Sequence, residues 1–120
     1  MIKKQTDYEK IDFDVQKVHS ALSRIPENIS YIGVTKQLDK NEFEEIKLSR
    51  LDELLELNSP NKIKSFIVII DQNGSVFLNN NFSKYTVVSI RAEKRENIIK
   101  IKDILEQELE LKEMKNYNLL

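Results

Sequence analysis

Polar residues dominate the first ten positions, MIKKQTDYEK, and apolar residues then recur at helical spacing: Ile11, Val15, Val18, Leu22 and Ile25. The stripe predicts a first helix that starts at Asp12 or Asp14. It ends near Arg24, because Pro26 disfavours helical backbone at Ile25. Residues 1–10 are expected to be flexible, with Thr6 and Glu9 spaced as a capping box. The β-branched and aromatic run 29–36, ISYIGVTK, reads as a strand. Residues 43–48 have two readings. One is a second strand followed by a short helix from Ser49 that carries Leu51, Leu54 and Leu55. The other is a single helix from Asp39 to Leu57. The first is preferred.

The run Ser65–Asp71 is apolar on both faces, with Phe66, Val68 and Ile70 on one side and Ile67 and Ile69 on the other. Such a strand is expected to be central and covered on both sides. Asp71-Gln-Asn-Gly74 reads as a tight hairpin turn, with Asn73-Gly74 supplying positive φ angles. Return strands follow over 75–79 and 85–91. A long helix from Glu93 past Glu110 then presents Ile98, Ile101, Leu105 and Leu109. The expected fold is α/β (α+β) in the order α-β-β-α-β-β-β-α: a five-stranded, mostly antiparallel sheet with an N-terminal helix, a short middle helix and a long C-terminal helix. It forms one domain over residues 11–112, with a frayed tail at 113–120.

Composition narrows the function classes. The chain has 120 residues, 40% hydrophobic and 32% charged, with a formal net charge of −1. That balance supplies no field to attract nucleic acid or an anionic membrane. The longest apolar run, Phe66–Ile70, is far too short to span a bilayer, and the start lacks the apolar stretch of a secretory leader, so a cytoplasmic protein without membrane insertion is expected. With no cysteine, disulfides and thiolate metal sites are excluded. Two glycines, Gly33 and Gly74, cannot build a phosphate-cradling loop.

Candidate chemistry is sparse. Asp71, Asn73 and Ser75 alternate like the start of a calcium loop, but glycine falls fourth instead of sixth and Phe82 stands where the bidentate glutamate belongs. The single histidine, His19, lies beside the first helix's apolar stripe with no evident partner and reads as a boundary residue. The glutamates of 42–56 and 106–110 alternate with leucines and lysines as on solvated faces. Arg91, Lys94, Arg95, Lys100 and Lys102 cluster at the last helix, but glutamates interleave with them and stacking aromatics are missing, so nucleic acid is not expected. No catalytic, cofactor-binding or metal residues are assigned.

Residues 64–109, with KSFIVIIDQNGSVFLNNNFSKYTVVSIRA and RENIIKIKDILEQELE, resemble the strands and closing helix of Roadblock domains. VQKVHSALSRIPENISYIGVTK is similar to that family's opening helix and first strand. Two departures are the turn Leu38–Asn41 and the short middle helix. The resemblance implies a non-enzymatic, dimerising protein-interaction module that acts as a scaffold or regulator of a small Ras-like GTPase or a signalling complex. It also implies self-association, as homodimer or heterodimer, through the strand at Ser65–Asp71 and the middle helix. The expected interface residues are therefore Leu51, Leu54, Leu55, Phe66, Val68 and Ile70. A profilin-like actin-monomer binder and a PAS-like small-ligand sensor are the alternatives.

Overall fold

A computed structural model describes residues 1–59, 62–71, 74–80 and 84–114. In chain order the elements are β1 (Ile2–Glu9), α1 (Val15–Ser23), β2 (Ile29–Asp39), β3 (Glu42–Leu48), a 3-10 helix (Leu51–Glu56), β4 (Ile63–Ile70), β5 (Gly74–Asn79), β6 (Tyr85–Ala92) and α2 (Arg95–Leu109). The strands form one antiparallel six-stranded sheet in the order β1-β6-β5-β4-β2-β3. The α+β class and the run of elements from α1 onward agree with expectation.

The strand count does not. Residues 2–9 were expected to be flexible, and they form β1, paired with β6 from Ile2↔Ala92 to Glu9↔Tyr85. Inward positions of β1 carry Lys4 and Thr6 beside Tyr8, so no apolar alternation announces the strand. Its order comes from the ladder to β6 and from the chain after α2. The Glu9 amide donates to the Lys112 carbonyl at 2.8 Å and the Met114 amide donates to the Asp7 carbonyl at 3.0 Å. The 113–120 tail is thus anchored at Glu113 and Met114; positions 115–120 lie outside the described residues.

Local chemistry explains most boundaries. Asp14 Oδ1 accepts from the amides of Gln16 (2.9 Å) and Lys17 (3.4 Å) and opens α1. Residues 43–48 lie in β3, joined to β2 through Lys40 and Asn41. Ser49 does not cap the helix that follows. Glu53 Oε1 instead accepts from the amides of Ser49 (2.9 Å) and Arg50 (2.7 Å), and the helix is a single 3-10 segment. Glu110 adopts the left-handed conformation (φ 55°) and closes α2. Gly74 does not have the positive φ expected of a hairpin turn. It is the first residue of β5, opposite Ile70, and a Cβ there would sit 3.3 Å from the Arg91 carbonyl oxygen. The rest of the expected turn, Gln72 and Asn73, lies outside the described residues.

Both α-helices and the 3-10 helix share one face of the sheet. Phe66, Val68, Val76, Leu78 and Ile90 point toward them and are at most 1% exposed. Val18, Leu22, Leu54, Ile101 and Leu105 complete the same core. Phe13, just before α1, meets Phe66 edge to face with ring centroids 5.3 Å apart. No helix among the described residues is long and apolar enough to cross a membrane.

Candidate interaction surface

Three polar constellations lie outside the apolar core, and each has a structural occupation. His19 Nε2 meets Asp52 Oδ1 at 2.8 Å and ties α1 to the 3-10 helix, so the histidine has a partner that spacing alone could not show. The Thr86 hydroxyl donates to Asn80 Oδ1 (2.6 Å) and accepts from the Ile11 amide (3.0 Å); Asn80 Nδ2 donates to the Ile11 carbonyl. This closed set fixes the entry to α1 against β6. Finally, the Tyr8 hydroxyl donates to Glu106 Oε2 at 2.8 Å, and Lys102 Nζ donates to the same oxygen at 2.8 Å and reaches Glu113 at 3.4 Å.

Electrostatics of the last set follow from its geometry. Burial and the neighbouring carboxylate push the Tyr8 hydroxyl far above its ordinary pKa. Burial works against ionised Glu106, but the hydrogen bonds from Lys102 and Tyr8 outweigh it and hold the carboxyl below its usual value. The hydrogen bond to Glu106 raises Lys102. The trio clamps α2 to β1. Among the described residues no group of three or more His, Cys, Asp or Glu could hold a metal ion. The basic cluster is dispersed: Lys102 is engaged with Glu106, whereas Arg91 lies on the opposite face of the sheet.

Four of the six expected interface residues fall inside the monomer. Leu54, Phe66 and Val68 are wholly buried and Ile70 is 3% exposed. Leu51 packs partly against the core, and Leu55, at 49%, is exposed on the 3-10 helix. Nor is the strand at Ser65–Asp71 an edge. β4 lies between β2 and β5, with hydrogen bonds to both, so edge pairing there is blocked. The free edge at that side is β3, where Glu42, Glu44 and Glu45 are exposed.

What remains open is the sheet face without helices. The alternate residues of β4, Ile67 and Ile69, point to it, and the strand expected to be covered on both sides is covered on one. Ile67 is 42% exposed. Register places Phe77 and Gly33 on either side of it, and Tyr31 beside Ile69. Tyr31 lies across the notch at Gly33, where a Cβ would meet its hydroxyl at 2.9 Å. Lys47 Nζ sits 5.5 Å from the Tyr31 ring centroid. Val87, with exposed Tyr85 and Phe43 near the corners, extends the apolar surface.

One face of an antiparallel sheet ordinarily faces water and carries polar residues. β1 obeys that rule with Lys3, Gln5, Asp7 and Glu9. The centre of the same face breaks it. Sequence reasoning identified the two apolar faces of β4, but alternation does not say which face the chain covers itself. No family model matches the chain, and neither a curated protein nor a solved structure is significantly similar to it, so the function of this surface is argued from its own residues.

Proposed function

We propose that the chain is a non-enzymatic protein-interaction module whose contact surface is the helix-free face of the sheet. One observation carries this: Ile67, Ile69 and Phe77 occupy the centre of a face that no helix among the described residues covers. Branched aliphatic and aromatic side chains grouped on an open face mark an interaction site, because leaving them in water forgoes burial worth ~25 cal/mol per Å². The resemblance to Roadblock domains supports the same class of function and adds a small Ras-like GTPase as a partner class.

The test is a pair of baits, wild type and Ile67→Asp, used with chemical cross-linking in an extract of the source cell. Position 67 is partly exposed, so the variant is expected to keep its far-UV spectrum and lose the cross-linked species, whether that species contains a second copy or another chain. A species of equal yield in both baits removes the open face from the interaction.

A further inference from the structure

The register sorts charge along the open face. Its upper end carries Lys3 and Arg91, which are directly paired, and Lys47 on β3 stands one row below, in the row of Ile67. Its lower end carries Asp7 and Glu9 on β1 and Glu45 on β3. All six are exposed, and none is in an ion pair with another described residue. Glu93, beyond the basic end, is accompanied by the N-terminal ammonium at 3.9 Å. The apolar centre, with Lys47 at the β3 end of its own row, therefore lies between a basic end of Lys3 and Arg91 and an acidic end of Asp7, Glu9 and Glu45.

Such a surface is complementary to itself when turned end over end. A two-fold axis in the plane of the interface and perpendicular to the strands places each basic end on the partner's acidic end. Parallel stacking places like charges together. We infer that, if the open face is the contact surface, its occupant is a second copy of this chain, packed sheet to sheet with its strands antiparallel. The apolar centres then meet across the ~10 Å spacing of stacked sheets.

The size is adequate. Six strands at about 4.8 Å, over a length of about 20 Å from Lys3 to Glu9, outline a patch on the order of 500–600 Å² per copy. Corrugation by side chains raises the accessible area toward the ~600–800 Å² per partner of specific interfaces. The two-fold geometry also closes the assembly at two copies, because the same patch serves both.

The test uses light scattering and sedimentation of the full chain from low to several hundred micromolar. Two charge variants at exposed positions leave the core untouched. Lys3→Glu with Arg91→Glu makes both ends acidic; Asp7→Lys with Glu9→Lys makes both ends basic. Each alone is expected to weaken the dimer tenfold or more. Mixed together, they are expected to form a one-to-one dimer, and all four changes in one chain restore self-association with reversed polarity. Raising the salt concentration weakens the wild-type dimer.

A wild type that stays monomeric throughout overturns the second copy as occupant, while the cross-linking experiment above still judges the open face. A dimer that ignores the charge changes but is lost on Ile67→Asp overturns the antiparallel arrangement and leaves the face as the contact. A dimer that ignores Ile67→Asp overturns both.

Discussion

Phe66 and Ile67 are chain neighbours on one central strand, and the two faces of the sheet should make them energetically unlike. Phe66 is wholly buried and packs against Phe13. Phe66→Ala removes a ring from a closed core and leaves a cavity, a loss of about 3–5 kcal/mol. Ile67 is 42% exposed, so little more than half of its burial is at stake in the monomer. Full burial of such a side chain is worth ~1.5–3 kcal/mol, and Ile67→Thr keeps the β-branch and one methyl group, so the change should cost under about 1 kcal/mol. Water fills the space vacated on an open face, so no cavity term is added. Urea unfolding at low micromolar protein, followed by circular dichroism, measures both. Unchanged m-values would show that the same surface is exposed on unfolding in each variant. A cost for Ile67→Thr close to that of Phe66→Ala would mean that the second face is covered within the monomer, and the interaction surface would disappear with it.

Two further outcomes test the polar constellations. Thr86→Val removes a hydroxyl that serves Asn80 and Ile11 from a side chain that is 0% exposed. Buried Asn80 and the half-buried Ile11 amide lose a partner, so the expected cost is about 1–3 kcal/mol, against about 1 kcal/mol or less for Thr86→Ser, which loses a methyl group and keeps the bonds. The reverse ranking in urea unfolding would refute the hydroxyl's role. Glu106, whose folded carboxyl titrates below its ordinary value of 4.5, adds stability that is present above that value and lost as pH falls through the folded one. Glu106→Gln should therefore flatten the acid limb of a Tm-against-pH curve. An unchanged limb would show that the clamp does not depend on that charge.

The elements that were legible in the sequence share a property: their pattern records burial by the chain itself. Val15, Val18 and Leu22 on α1 and Ile98, Ile101, Leu105 and Leu109 on α2 face a sheet in the same molecule, and their spacing shows it. β1 left no such record. It is an edge strand with Lys4 and Thr6 at inward positions, and backbone pairing with β6 orders it without an apolar alternation. The 3-10 helix was placed correctly, but its cap was misassigned, because a backward reach from Glu53 and a forward reach from Ser49 look alike in the sequence. Gly74 was read as a turn residue although its position is set by the Arg91 carbonyl, a neighbour from a strand 17 residues away. His19 had a partner 33 residues away on another element, which spacing cannot reveal.

Four of the expected interface residues are buried in the monomer for a related reason. A strand with two apolar faces was expected to be covered on both, and the contact set was assigned to Phe66, Val68 and Ile70; the described helices cover that face alone. Every helix among the described residues lies on one side of the sheet, and that side is where those residues point. The complementary set, Ile67 and Ile69, inherits the unmet demand. The free edges argue in the same direction. Acidic β3 resists adding another strand, and β1 is partly paired with the segment after α2. With edge pairing discouraged at both ends of the sheet, the face that carries Ile67 and Ile69 is the surface proposed for association, and the charge separation along it would set the direction in which the proposed second copy fits.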